Sequence, residues 1–173
     1  MVADLDYLSG GRVDFGVGIG WLKEEFVNLG MDFKNRAARC VEYIEVMKEL
    51  WSPDVSEYRG GTVDLRPCHF NPKPTQNPHP PIYFGGESDA ALDRVATLGD
   101  GWYAYDISPE ELALRLDSLD SKMQQTGRSL DQIELIVGPN RRPVNEKTIE
   151  QYSSLGVTQL VVTLYSSGLA KIE

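Results

Sequence analysis

The sequence predicts an α/β fold built on a parallel sheet. Short apolar runs rich in β-branched and aromatic residues alternate with amphipathic helical patterns. This alternation is typical of βα units, in which a helix follows each strand and returns the chain to the same edge of the sheet. Some of the runs are almost continuously apolar, as expected of strands buried on both faces. The five predicted strands are residues 13–20, 82–86, 102–105, 133–138 and 160–165.

Helical patterns fill the intervals between these runs. Ser108, Pro109 and Glu111 form a capping box with proline at the first helical position, and Asn145 is placed to cap a last helix. Apolar residues recur every three or four positions in these segments, so each predicted helix has one apolar face that can pack against the core. The two clearest stripes are Ala37, Cys40, Val41, Ile44, Met47 and Trp51, and Leu112, Leu116, Leu119 and Met123.

A proline-rich segment at about residues 52–80 interrupts the alternation. Seven of the ten prolines lie between residues 53 and 81, which excludes a continuous helix there. Residues 55–59 and 62–65 flank Gly60 and Gly61, a pattern that predicts a β-hairpin with a two-residue turn. Such an insertion either borders a binding site or simply packs on the domain.

Size and charge limit the class of protein. With 173 residues, 41% of them apolar, we expect residues 1–173 to form one domain. A net charge of −9 argues against nucleic-acid and anionic-membrane partners, which need a basic face. No run approaches the about 18 apolar residues of a membrane span, and the first residues lack the basic flank of a secretory signal, so we expect a cytoplasmic protein. His69 and His79 have no partner at metal-ligand spacing, and no metal site is expected.

The glycine pair that ends the second predicted strand is the strongest candidate for a ligand site. Gly85 and Gly86 can bring the backbone close to a ligand, and Ser88 is a good N-cap for a helix that ends at Gly99. The N–H groups at the start of such a helix bind anions. The pattern predicts either a phosphate site or an ordinary strand-to-helix turn.

A second glycine cluster, residues 16–21, follows the first predicted strand. It is not a dinucleotide fingerprint, because Trp21 stands where the third glycine would be and residues 28–32 interrupt any long helix. The glycines instead predict a thin strand end against which a flat ligand can lie. Trp21 is then a wall of the ligand site or a plug of the core.

Several motifs in order resemble the bacterial luciferase-like oxidoreductases. Residues 20–26 (GWLKEEF) and 78–86 (PHPPIYFGG) are most similar to the actinobacterial-type enzymes that are thought to use the deazaflavin coenzyme F-420. The resemblance covers nearly the whole chain and implies a TIM-barrel-like (β/α)8 fold, with the coenzyme at the carboxyl ends of the strands. The other matching motifs are 5–13 (LDYLSGGRV), Leu29-Gly30, Arg36, Glu42-Tyr43, Leu50-Trp51, 74–76 and 99–102 (GDGW).

The resemblance implies a coenzyme, F-420 or alternatively FMN, that acts in hydride transfer or monooxygenation on a small organic substrate. No catalytic residue is assigned. Arg141 and Arg142 are candidates for contacts with an anionic tail of the coenzyme. The implied cofactor-binding residues are Gly20, Trp21 and Glu24 near the ring, Gly85, Gly86 and Ser88 at the phosphate, and Trp102 as a wall.

Members of the family are longer at the amino terminus, so the resemblance also implies an incomplete barrel of about five βα units. An uncovered edge at residues 13–20 favours association, and we expect a homo-oligomer with little turnover as an isolated chain. Two alternatives remain open. One is a non-catalytic luciferase-like fragment, and the other is a flavodoxin-like FMN carrier, against which the lack of a hydroxyl-rich loop after the first strand counts.

Overall fold

The computed structural model describes residues 1–163 and divides the chain into two compact units, Met1–Ile82 and Tyr83–Glu173. The prediction of a single domain over residues 1–173 stays a prediction. No helix within residues 1–163 has both the length and the apolar character needed to cross a membrane.

The first unit contains three helices, a short strand and a hairpin. α1 ends at Gly10, which takes the left-handed conformation at φ 68°, a common C-cap for a helix. The β1 residue Phe15 donates its N–H to the carbonyl of Pro81 at 2.8 Å, and its ring meets that of Trp51 edge to face. The elements are α1 Val2–Ser9, β1 Phe15–Val17, α2 Lys23–Asn28, α3 Arg36–Trp51, β2 Ser56–Arg59 and β3 Asp64–Cys68.

The predicted hairpin is confirmed, but its turn is longer than predicted. β2 and β3 are antiparallel with Arg59 opposite Asp64, which leaves a four-residue connection. Gly60 and Gly61 do not take the positive φ angles that a two-residue type I′ turn needs. The connection is closed by the Gly60 N–H, which donates to the Val63 carbonyl at 2.8 Å, and it is tied to α3 by the Glu42 carboxylate, which accepts the N–H groups of Thr62 and Val63 at 2.8 and 2.7 Å.

The second unit repeats strand and helix, as the sequence predicts. Its strands are parallel and adjacent in chain order, β4-β5-β6-β7. A 3-10 helix, Leu130–Gln132, leads into β6. The elements are β4 Ile82–Gly85, α4 Asp89–Leu98, β5 Gly101–Tyr105, α5 Pro109–Gln125, β6 Glu134–Gly138, α6 Glu146–Ser154 and β7 Val157–Leu160.

The last strand was predicted about three residues too late. β7 begins at Val157, opposite Leu135, directly after Gly156 has reversed the chain at φ 85°. The apolar run 160–165 suggested a later start, but pairing with β6 selects the more polar segment before it. Residues 164 and 165 of that prediction lie outside the described residues.

The core of the second unit lies between one face of the sheet and helices α4 and α5. The opposite face carries Tyr83 and Tyr103, and Gly101 is required beside Tyr83 because a Cβ there would collide with the tyrosine ring. The Tyr83 hydroxyl donates to the Glu134 carboxylate at 2.7 Å. The buried core side chains include Phe84, Trp102, Ala104, Leu135 and Val137 from the sheet and Leu92, Val95, Leu112, Leu119 and Met123 from the helices.

Candidate functional site

The loop between β4 and α4 has the geometry of an anion site. Gly86 has φ 106°, a conformation that residues with a side chain rarely adopt. A Cβ at Gly86 would lie 3.2 Å from the Cβ of Ala91, in the first turn of α4. The Ser88 hydroxyl accepts the Ala91 N–H at 3.2 Å and so starts the helix at Asp89. The backbone of Gly86 therefore passes close to the N-terminus of a well-capped helix, whose dipole favours anions.

Trp102 supports this loop from within the core. Its side chain is 1% exposed, and its indole N–H donates to the Gly86 carbonyl at 2.9 Å. Trp102 pairs with Phe84 in the parallel ladder, so the bond links β5 to the end of β4. The assignment of Trp102 as a cofactor-binding residue stays a prediction, and the contact gives it a means of acting through Gly86.

A groove of about 580 Å³ lies beside the loop, at the carboxyl ends of β4 and β5. Glu87 closes one side of it, because its carboxylate accepts the Tyr105 N–H at 2.7 Å. Arg115, which also lines the groove, is paired with Asp89 at 2.9 Å. The carboxyl end of the strands is where barrel enzymes bind their ligands. The groove is lined by Glu87, Tyr105, Asp106, Ile107, Glu111, Leu114 and Arg115.

Arg142, a candidate for the coenzyme tail, is engaged within the second unit. Its guanidinium donates to the Asp106 carbonyl at 2.8 Å and lies 3.2 Å from the Glu111 carboxylate. The Ser108 N–H and hydroxyl, with a smaller contribution from Arg142, hold the pKa of Glu111 below its ordinary value. The Asp106 carboxylate lies 3.4 Å from Nε of Arg142, so an anionic tail would have to compete with Asp106 and Glu111 for Arg142. The neighbouring Arg141 is exposed.

In the first unit, the glycine-rich end of β1 leaves one face of the strand open. A Cβ at Gly16 or Gly18 would meet nothing within 4 Å. Gly20 has φ 79°, and a Cβ there would press on the Phe26 ring at 2.8 Å. The Gly20 carbonyl accepts a hydrogen bond from Nε of Arg36 at 3.1 Å, which fixes the turn. This arrangement exposes backbone against which a flat group can lie.

Trp21 and Glu24, the two side chains predicted to lie near the coenzyme ring, are accessible to solvent. Trp21 is 82% exposed, so its alternative interpretation as a core plug is wrong. Glu24 is exposed in the first turn of α2. Gly20, Trp21 and Glu24 thus lie together in the first unit, while Gly85, Gly86, Ser88 and Trp102 lie together in the second.

Sequence reasoning missed the tyrosine pair on β5. The rings of Tyr103 and Tyr105 lie 6.3 Å apart on the same face, and burial raises the pKa of Tyr103, with Tyr105 and Glu87 adding to the shift. Gly138 on β6 leaves room for Tyr103, because a Cβ there would collide with its hydroxyl. The alternation of tyrosine with Ala104 was the available signal.

No group of three or more His, Cys, Asp or Glu in the described part of the chain is arranged to hold a metal ion.

Comparison with known sequences gives a family. The profile of a family described as luciferase-like monooxygenase matches residues 1–154. A relative named FMNH2-dependent dimethylsulfone monooxygenase, from Pseudomonas putida, is 30% identical over 132 residues, 75% of this chain and 36% of that protein. An uncharacterized protein of Mycobacterium tuberculosis is 33% identical over 163 residues, 92% of this chain and 55% of that protein. The chain spans between about a third and just over half of the length of these relatives.

Solved structures agree on the fold. An F420-dependent secondary alcohol dehydrogenase in complex with an F420-acetone adduct matches with a TM-score of 0.75 and 17% identity, over 93% of this chain and 66% of that one. The monooxygenase RslO1 of Streptomyces bottropensis matches with a TM-score of 0.70 and 23% identity, over 88% of this chain and 47% of that one. These matches confirm the predicted TIM-barrel-like α/β fold, of which this chain spans a part.

Proposed function

Since the chain belongs to the luciferase-like monooxygenase family, we propose that it is the coenzyme-binding part of an oxidoreductase that uses F-420, or alternatively FMN. The names of similar proteins support a coenzyme of this type, since one is FMNH2-dependent and another F420-dependent. Both coenzymes carry a flat ring system and a phosphate on a ribityl chain. The substrate is a small organic molecule.

The observation that carries the proposal is the conformation of Gly86. A positive φ of 106°, next to an N-capped helix of ten residues, makes a cradle for phosphate that a side chain would fill. Gly85, Gly86 and Ser88 then bind the phosphate through backbone N–H groups and the hydroxyl. The residues present therefore fit a coenzyme phosphate.

In the first unit, taken by itself, we propose the open face of β1 as a surface for a flat ring. Gly16 and Gly18 allow close approach there, and Gly20, Trp21 and Glu24 supply backbone, an exposed aromatic wall and a polar contact. An indole can stack on a flat ring with an offset, which orients the ring without a covalent bond.

The chemistry divides between coenzyme and protein. The bound coenzyme supplies hydride transfer if it is F-420, or oxygen activation if it is reduced FMN. The chain holds the phosphate, orients the ring and excludes water on the side of the strand. Catalytic residues stay unassigned, and the deazaflavin is preferred because motifs 20–26 and 78–86 resemble those of F-420 enzymes.

The test compares ligands that differ by the phosphate. FMN and riboflavin are titrated separately by fluorescence, and the ratio of their dissociation constants measures the contribution of the phosphate. F-420 is titrated alongside to rank the two coenzymes. In the Gly86→Val variant we expect FMN affinity to fall at least about tenfold while riboflavin affinity stays unchanged, because the added side chain blocks only the anion.

Gly127→Val is the matched control. Gly127 also has a positive φ, 72°, but a Cβ there would meet nothing within 4 Å. It therefore reproduces the backbone strain without touching the loop. Equal ratios of FMN to riboflavin affinity in wild type and Gly86→Val would reject the phosphate assignment.

A further inference from the structure

A cavity of about 250 Å³ lies in the first unit between β1 and α3. It is lined by Phe15 and Val17 of β1 and also by Gly18, so it borders the proposed ring site. Its walls are mostly apolar and aromatic, and they also include two arginines. The wall residues that matter here are Phe15, Val17, Phe26, Ile44, Met47 and Arg39.

Arg39 is a buried cation with spare donors. The residue is 8% exposed. Its Nη1 donates to Asn35 Oδ1 at 2.8 Å and to the Asp32 carbonyl at 3.2 Å. Within residues 1–163, no carboxylate forms an ion pair with Arg39, and no acceptor meets its Nε or Nη2. Its guanidinium carbon also lies 5.8 Å from the centroid of the Phe26 ring. A guanidinium stays charged at all ordinary pH values, and Nε and Nη2 of Arg39 are not among the buried nitrogen atoms that lack a partner, so these donors are accessible to a ligand.

Arg36 adds a second positive charge on the same cavity wall. Its donors are used differently, since Nε binds the Gly20 carbonyl and Nη1 binds the Phe33 carbonyl at 3.0 Å. Its guanidinium carbon also lies 3.8 Å from the centroid of the Phe33 ring. In the described part of the chain Arg36 likewise has no carboxylate partner, so two unneutralised cations border one apolar space.

We propose that this cavity binds a small monocarboxylate with an apolar body. The edge of Arg39 formed by Nε and Nη2 matches the two oxygens of a carboxylate and allows a bidentate pair. The walls then receive the apolar body. A water molecule occupies about 30 Å³ in the liquid, so the cavity has room for a ligand with the volume of about eight water molecules. An aromatic or short branched acid has the required size and polarity.

Three probes separate the charge from the apolar body. Benzoate, its neutral isostere benzamide, and acetate are titrated into the full chain at neutral pH and followed by amide chemical shifts in NMR. We expect saturable shifts for benzoate at the residues that line the cavity. Benzamide lacks the charge and acetate lacks the ring, so both should bind at least about tenfold more weakly. Equal binding of benzoate and benzamide, or shifts outside the cavity wall, would overturn the proposal.

Two variants act on different parts of the site. Arg39→Lys keeps the charge but removes the planar fork, and Met47→Phe fills the apolar space while leaving Arg39 intact. We expect each to weaken benzoate binding at least about tenfold. Arg66→Lys, at an exposed position on β3, makes the same chemical change elsewhere and should leave benzoate binding unchanged. Thermal unfolding confirms that each variant is folded, and benzoate binding retained in a folded variant of either kind refutes the site.

Discussion

The indole N–H of Trp102 donates a hydrogen bond of 2.9 Å to the carbonyl oxygen of Gly86. The peptide between Gly86 and Glu87 is planar, so fixing its carbonyl also fixes the direction of the Glu87 N–H, which points the opposite way. A core residue on β5 thereby sets the orientation of a backbone donor in the proposed phosphate loop. Preorganised donors bind anions without the cost of ordering them.

Trp102→Phe should therefore affect both stability and phosphate recognition. We expect the free energy of unfolding to fall by about 2–4 kcal/mol, since a hydrogen bond and part of a buried ring are lost. The ratio of FMN to riboflavin affinity should also fall, because the loop loses its fixed orientation. Chemical denaturation and the two titrations measure these effects.

Trp51→Phe is the control for lost indole volume. Trp51 is 5% exposed and lies in the first unit, where its ring contacts those of Phe15 and His79. The Trp51→Phe variant should be less stable than the wild type, but its ratio of FMN to riboflavin affinity should be unchanged. The positioning role of Trp102 is contradicted if its variant also keeps that ratio.

Ser88 has two assigned tasks, capping α4 and contacting the phosphate. Ser88→Ala removes the acceptor for the Ala91 N–H, and loss of a serine cap costs about 1 kcal/mol of stability. We expect this loss together with weaker FMN binding and unchanged riboflavin binding. Thermal unfolding and fluorescence titration report the two effects separately.

Ser108→Ala provides the comparison, because Ser108 caps α5 through the Glu111 N–H in the same way. Its variant should be destabilised to a similar extent. A selective loss of FMN binding in Ser88→Ala alone supports the phosphate contact. If the two serine variants bind FMN and riboflavin with identical affinities, Ser88 acts only as a helix cap and does not contact the phosphate.

Local rules predicted the helices and strands of the second unit well. The capping residues Ser88, Ser108 and Asn145 all accept the N–H group three positions later, as their sequence context indicated. Local rules worked here because capping involves residues within one turn of each other. The strand register at β7 depends on pairing with β6 and could not be obtained from the run 160–165 alone.

The candidate site was predictable only where backbone conformation dominates. The glycine pair predicted a loop, and Gly86 has the positive φ expected, whereas Gly85 does not. Contacts between residues far apart in the sequence could not be predicted from local patterns. Two examples are the contact of Trp102 with Gly86 and that of Glu42 with the hairpin. Arg39 was also missed, because arginine is usually exposed and its burial depends on the packing of α2 and β1.

Asp6 should make the first unit sensitive to acid. Its side chain is fully buried, at 0% exposure, and accepts the N–H and side-chain amide of Gln76 at 2.9 and 2.8 Å. Burial raises the pKa of Asp6, but the hydrogen bonds from Gln76, Val13 and Thr75 outweigh it and hold the pKa below its ordinary value of 3.8. The stabilisation is therefore present above the ordinary pKa and is lost as the pH falls through the lower value of the folded state.

Asp6→Asn tests this directly. The asparagine NH2 faces donors instead of accepting from them, and we expect a loss of about 2–3 kcal/mol of unfolding free energy at neutral pH. The variant should also lose part of the acid dependence of stability, which denaturation at a series of pH values measures. Asp14→Asn, at an exposed position, should change neither quantity. Parallel stability curves for wild type and Asp6→Asn across the acidic range would contradict the prediction.

Glu42 should control the opening of the β2–β3 connection. Its carboxylate accepts the backbone N–H groups of Thr62 and Val63, and these bonds lower the pKa of Glu42. In Glu42→Gln a single neutral oxygen replaces the carboxylate, so we expect the exchange of those two amide hydrogens to accelerate about five- to tenfold. Glu57→Gln, an exposed position on β2, serves as the control. Because Gly60 and Gly61 lack the conformation of a tight turn, unchanged exchange in Glu42→Gln would mean that the loop holds itself open without the carboxylate.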